Sequence, residues 1–284
     1  MAKQIILRNK DINVTISALG AEIVSVLKDG KEKMWCADPE VWGMCAPIMF
    51  PVCGGLKNDK FIFDAKEYTL GKHGFARFME FEIESAEDEK AVFLLRSNEE
   101  TLKQYPFDFE FRVAYSISGG NIKVEYITKN VGNGDMYFSA GAHEGYACPG
   151  GIENYSIIFE EEEDLVSNVL EGNILGYNTV NMGSATKELK LKDEFFKVDA
   201  LVFLNLKSKK VWLKNNLNGE SHSVEFKGAP YLLLWTKYKA EYICIEPWFG
   251  ISDFTDSDMD FANKKGITKL VPGEVCINTH TISF

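Results

Sequence analysis

Three short motifs in this chain carry side chains able to move protons. Lys72-His73-Gly74-Phe75-Ala76-Arg77 and Gly141-Ala142-His143-Glu144-Gly145-Tyr146 each set an imidazole among small residues. Cys244-Ile245-Glu246-Pro247-Trp248-Phe249-Gly250 ends an apolar run on a carboxylate. Two imidazoles and one glutamate, far apart in the chain, suffice to exchange protons at two ends of one small substrate. The chemistry expected is acid/base catalysis without a metal. The six cysteines (Cys36, Cys45, Cys53, Cys148, Cys244, Cys276) form no C-x-x-C pair and have no metal-like spacing with histidine. There is no Walker sequence, dinucleotide fingerprint or H-E-x-x-H, so no cofactor is expected.

Each candidate also has a plainer reading. Proline biases the residue before it towards extended geometry, which predicts Glu246 at a strand end, either in solvent or aimed into a cleft beside Trp248 and Phe249. Aromatics there would stack on a sugar face and partly dehydrate the carboxylate, raising its pKa. His143 lies among small residues that let a ligand or another strand come close. A single histidine is more often structural than catalytic, and that alternative stays open for His73 and His143. His222 and His280 sit in polar alternating segments and read as surface strand positions.

The elements that must position these groups are mostly short strands. Alternating or apolar runs predict strands at Gln4–Arg8, Ile12–Ser17, Ala21–Leu27, Phe109–Ile117, Ile122–Thr128, Tyr155–Phe159, Ala200–Leu206, Lys210–Lys214, His222–Lys227, Tyr231–Thr236, Tyr242–Glu246 and Val275–Phe284. Ser118-Gly119-Gly120-Asn121 reads as a hairpin turn. Ser97-Asn98-Glu99-Glu100 resembles a capping box opening one short helix towards Gln104, and Asp256–Asn263 reads as another helical turn or two. The acidic run Glu160–Asp164 reads as a solvated loop or strand end. The whole is expected to be all-β, a large antiparallel β-sandwich forming one domain over residues 1–284.

A net charge of −11 argues against nucleic acid and anionic membrane surfaces as partners. The first residues form no signal peptide, and no stretch approaches the ~18 apolar residues of a membrane span, so a cytoplasmic protein with reduced, mostly buried thiols is expected.

Five segments, in order, carry a resemblance. They are Ala46-Pro47-Ile48-Met49-Phe50-Pro51-Val52-Cys53-Gly54-Gly55-Leu56-Lys57-Asn58-Asp59, His73-Gly74-Phe75-Ala76-Arg77, Gly141-Ala142-His143, Asp199-Ala200-Leu201-Val202-Phe203 and Ile245-Glu246-Pro247-Trp248-Phe249-Gly250. Together they resemble the aldose 1-epimerase (galactose mutarotase) family over nearly the whole chain, most closely the subgroup found beside lactose and galactose catabolism genes. The resemblance implies a galactose-mutarotase-like β-sandwich with an open cleft for a monosaccharide and no cofactor. It implies Glu246 as general base and His143 as general acid. It further implies that His73 contacts the sugar, that Asp199 holds sugar hydroxyls, and that Lys57 and Asn58 stand where relatives carry an arginine-asparagine pair.

Two departures stand out. Lys57 replaces a planar two-donor guanidinium with a point charge. Glu144 replaces the family's proline after the acid histidine; extended geometry points it away from His143, whereas a turn would bring its carboxylate alongside. The activity implied is interconversion of the α and β anomers of an aldohexose such as galactose or glucose. Three alternatives remain: a hexose 6-phosphate mutarotase, weakened because Met44–Gly55 contains no Arg or Lys, a non-catalytic sugar-binding protein, and a glycoside hydrolase using Glu246 and Asp199.

Overall fold

Strand alternation in the sequence translates directly into sheet faces. In Phe109–Ser118 and Asn121–Asn130, every second residue is buried, and the two pair antiparallel around the Gly119-Gly120 turn. The computed structural model describes residues 2–284. Strand makes up 52% of the chain and helix 7%.

The main sheet is antiparallel. Its order runs Glu144–Ala147, Tyr242–Trp248, Tyr231–Trp235, Leu201–Phe203, Tyr155–Glu171, Lys210–Asn215, Ser221–Glu225, Val275–Ser283, Asn121–Asn130, Phe109–Ser118, Lys90–Arg96, Glu82–Ala86. Ile174–Lys190 pairs with Tyr155–Glu171 as a long hairpin arm. A four-stranded sheet, Gln4–Arg8, Ile12–Ser17, Ile23–Lys28 and Lys31–Glu32, adds its apolar face (Leu7, Val14, Ile16, Val26) to the common core. The Tyr115 hydroxyl, from the main sheet, donates to the Ala21 carbonyl at 2.7 Å. The expected antiparallel β-sandwich is the architecture observed. No helix among the described residues is long and apolar enough to cross a membrane.

Four local expectations need correction. The capping box is displaced by one residue: the Asn98 side chain accepts from the Glu100 and Thr101 amides, while Thr101 Oγ1 accepts from the Asn98 amide. Asp256–Asn263 forms turns rather than helix, because its Asp and Ser side chains take up nearby backbone amides, as Ser257 does with Met259 and Asp260 with Ala262. Glu160–Asp164 lies inside the long strand Tyr155–Glu171, where buried Glu163 accepts from the Ser208 amide and hydroxyl at 2.6 Å each. His280 is a core residue, 1% exposed, and not a surface position; His222 is also largely covered, stacked beside Tyr146 and Phe284.

The segments that carry the site are tied to this core. Phe50 stacks on Phe111 at 4.1 Å, and its carbonyl accepts from the Phe75 and Ala76 amides. His73 and Gly74 both adopt left-handed backbone (φ 68 and 67) so that the chain turns against Phe50. A Cβ on Gly74 would lie 2.3 Å from the Phe50 carbonyl oxygen. Gly74→Ala is therefore expected to destabilise by about 2–4 kcal/mol, combining left-handed strain with overpacking. Gly71→Ala, where a Cβ meets open space, serves as the control and stays near wild type; urea unfolding of the two variants checks the contrast.

Candidate active site

The strand Tyr242–Trp248 is buried at all seven positions because it lies between Glu144–Ala147 and Tyr231–Trp235 with further residues on both faces. It runs two residues past Glu246. That carboxylate is 1% exposed, and its Oε2 accepts from Trp248 Nε1 at 3.1 Å. His143 precedes the edge strand and is 8% exposed, with Nδ1 3.5 Å from Glu246 Oε1. Gly141 makes the approach possible: its backbone bridges both Met49 and Trp248, and a Cβ there would lie 2.8 Å from Met49 Cε and 2.9 Å from Cys53 Sγ. The small residues before His143 thus serve close strand approach, as expected.

Glu246 and His143 open into a cleft of about 370 Å³ that is also lined by His73, Asp199, Lys72, Arg77, Trp42, Trp235, Trp248, Asn173 and Ser252. His73 is buried, and its Nδ1 accepts from the Gly54 amide at 3.1 Å, so the neutral ring carries its proton on Nε2. Its ring centroid stands 5.5 Å from that of His143. Asp199 is half-buried, with Oδ1 accepting from the Ala200 amide and Oδ2 3.9 Å from Lys72 Nζ. Trp42 and Trp235 flank the His143 ring at 5.2 and 5.5 Å.

Four of the six residues singled out from the sequence, Glu246, His143, His73 and Asp199, therefore meet in one cleft. Lys57 and Asn58 do not line it. The Lys57 ammonium donates to the Ser257 carbonyl at 2.7 Å and its amide to Asp253 Oδ2 at 2.9 Å, while Asn58 is exposed at a left-handed turn position. The arginine facing the cleft is Arg77, four residues beyond His73. Phe249 packs into the main core, so of the expected aromatic pair only Trp248 faces the cleft. The tryptophans Trp42 and Trp235 were missed by sequence reasoning, although indoles beside polar or glycine neighbours (Trp42-Gly43, Trp235-Thr236) are a signal worth testing.

Electrostatics oppose the simplest assignment of charge. Burial pushes the Glu246 carboxyl well above its ordinary value, against the indole hydrogen bond and the Lys72 charge. Burial also lowers His143 to about 3, helped by Lys72 and Arg77. His73 is likewise held well below its usual value by burial, with the His143, Lys72 and Arg77 charges adding to it. The carboxyl thus holds its proton more tightly than the imidazole does, and between the two titrations the pair rests as a protonated carboxyl and a neutral imidazole. Cys244 Sγ lies within 4.8 Å of donor atoms of both His143 and Glu246, a set with the elements of a soft divalent-ion site. Burial above all raises the pKa of that thiol well above its ordinary value, however, and a protonated thiol is a poor ligand.

Residues 3–276 match the aldose 1-epimerase family. The chain belongs to that family. It is 33% identical, over 98% of both chains, to the plasmid-encoded protein LacX of Lactococcus lactis subsp. lactis. It is also similar to the structure of a galactose mutarotase related enzyme from Lactobacillus acidophilus (36% identity, 99% of this chain and 97% of that one, TM-score 0.94). A galactose mutarotase-like protein from Lactobacillus casei superposes with a TM-score of 0.93 at 26% identity, over 99% of each chain. The five ordered motifs were sufficient to identify this aldose 1-epimerase relative.

A carboxyl whose folded pKa is raised favours the folded state fully below the unfolded pKa, and that contribution is lost as pH rises through the folded value. Glu246→Gln removes this loss. The variant is expected to melt at a higher temperature than wild type at neutral pH, by a margin that shrinks as pH falls towards about 4. Calorimetry across that range checks it.

Proposed function

We propose that this protein interconverts the α and β anomers of an aldohexose such as galactose or glucose, by acid/base opening and reclosure of the ring. The observation that carries the reading is the placement of Glu246 and His143, 3.5 Å apart, on one wall of a cleft of monosaccharide size. Glu246 takes the proton of the anomeric hydroxyl while His143 delivers one to the ring oxygen. The ring C–O bond breaks, the aldehyde end rotates, and reclosure on the other face returns both protons. His73, through Nε2–H, and Asp199 hold sugar hydroxyls, and the indoles of Trp42, Trp235 and Trp248 shield the reacting end from water. The protein would then be a cofactor-independent isomerase of carbohydrate metabolism.

The resting neutral pair and the reactive form, with Glu246 ionised and His143 protonated, hold the same number of protons. Acid adds a second proton and removes the base; alkali takes the only proton and removes the acid. The rate should follow a bell whose limbs belong to the pair. The acid limb reflects the depressed His143 and the alkaline limb the raised Glu246, the reverse of what unperturbed side chains would give.

Polarimetry on freshly dissolved α-galactose and α-glucose tests the reading. Wild type is expected to accelerate the approach to equilibrium, and Glu246→Gln and His143→Asn to lose at least about 10² in rate, as for other removed proton-transfer groups. A wild-type rate equal to the spontaneous one would leave a sugar-binding protein.

A second reading, a hexose 6-phosphate as substrate, has one observation in its favour. Met44–Gly55 carries no cation, but Lys72 and Arg77 both face the cleft, and Arg77 Nε is buried without a hydrogen-bond partner among the described residues. If the phosphate reading holds, glucose 6-phosphate turns over faster than glucose, and Arg77→Met depresses the first selectively. Equal loss for both sugars returns the choice to the plain aldose.

A further inference from the structure

Glu144 is one of the two positions that stand apart from the family pattern in the sequence, and the fold puts it to a specific use. It directly follows His143, and extended backbone sends the two side chains to opposite faces, His143 to the cleft and Glu144 into the core. There Glu144 is 3% exposed, and its Oε1 lies 2.8 Å from Nε2 of His280. His280 stands on Val275–Ser283, which runs between Ser221–Glu225 and Asn121–Asn130 in the interior of the sheet. The contact spans the core from the sheet's edge strand to its centre.

The edge strand needs such an anchor. Glu144–Ala147 has only four residues and pairs with one sheet neighbour, Tyr242–Trp248. Its other edge is covered by loop backbone: the Trp35 amide donates to the Gly145 carbonyl, and the Gly145 amide to the Cys45 carbonyl. Among the described residues His143 Nδ1 has no hydrogen-bond partner, so the ring's placement depends on the strand end, on the 3.5 Å contact with Glu246 and on the rings of His73, Trp42 and Trp235.

The pair is also poorly suited to serve stability alone. Glu144 Oε2 and His280 Nδ1 are buried without partners among the described residues, as are the hydroxyls of Tyr126 and Tyr146, and the Tyr126 ring lies 5.7 Å from His280. A half-satisfied buried polar pair stabilises less than two apolar side chains of the same shape.

We infer that Glu144, pinned by His280, is a positioning residue for His143: it fixes the depth and rotation of the strand end whose other face carries the imidazole. This rests on His143 acting as the acid of the reaction proposed above. Glu144→Gln keeps a hydrogen-bonding oxygen and nitrogen for His280; Glu144→Leu removes both. Glu144→Leu is expected to lower kcat by about tenfold to a hundredfold, the penalty of a misplaced catalytic group, with KM little changed. Glu144→Gln retains most of kcat. The double variant Glu144→Leu/His280→Leu recovers thermal stability, since no polar group is stranded, but not kcat.

The second readout needs no turnover. The His143 ring resonance, assigned by its loss in His143→Asn, shifts or broadens in Glu144→Leu and in the double variant, and stays in place in Glu144→Gln. Recovery of both stability and kcat in the double variant would overturn the inference, as would equal loss of kcat in the Gln and Leu variants. If Glu144→Leu does not fold, the double variant decides. Should wild type fail to interconvert anomers, the proposed reaction falls by itself, and the resonance still reports whether Glu144 positions His143.

Discussion

The fold has to hold one carboxylate out of water, and much of the surrounding structure follows from that. An ionised carboxyl without compensation in a low-dielectric interior costs several kcal/mol or more, so the group either finds donors or keeps its proton. Among the described residues Glu246 finds a single donor, the Trp248 indole, and burial wins. Sustaining such a group requires a strand with no exposed residue, a neighbouring strand on each side, and the packed cluster of Met49, Cys53, Leu233 and Trp248 close by. Stability sacrificed at this point is offset by apolar contacts elsewhere, and the result is a carboxyl that holds its proton well above the ordinary carboxylate range.

Placement follows from how closely the backbone segments approach one another. Gly141 lies between Met49 and Trp248, and Gly74 lies on the Phe50 carbonyl, each at a distance that no Cβ permits. The two site histidines are therefore attached to backbone that is wedged against the core, not to mobile loops. A strained residue such as His73, left-handed without being glycine, persists only where its surroundings hold it there. Here the Gly54 amide and carbonyl bind its ring and its backbone amide together. Preorganisation of this kind would spare the proposed reaction the reordering of these side chains.

What the sequence made legible divides along physical lines. Two-residue periodicity reports which face of a strand is buried, and the Phe109–Ser118 and Asn121–Asn130 pair was readable for that reason. Periodicity does not report what lies across the core. Polar neighbours made His280 look like a surface residue, yet its partner, Glu144, is 136 positions away. The acidic run hid Glu163 in the same way, since its burial depends on Ser208. In the site, histidines and a glutamate among glycines, prolines and aromatics were visible locally. Trp42, Trp235, Lys72 and Arg77 join them only through long-range folding, and matching Lys57 by order in the chain could not reveal that its ammonium turns to the Ser257 carbonyl.

The distribution of charge adds a last constraint. The chain carries a net −11, yet its cleft gathers two cations, Lys72 and Arg77, against the carboxyls of Asp199 and Glu246. Lys72 favours an ionised Glu246, while both cations disfavour a protonated His143, so in the proposed reaction they would hinder the acid more than they help the base. In the proposed reaction a neutral sugar would leave that field largely intact, and His143 would then draw its proton from Glu246 beside it, a transfer that changes no net charge. An anionic substituent seated against Lys72 and Arg77 would cancel the field and lift the proton affinity of His143 as it binds. In the proposed reaction substrate charge and acid strength would therefore be coupled, the bound sugar setting how readily His143 is charged.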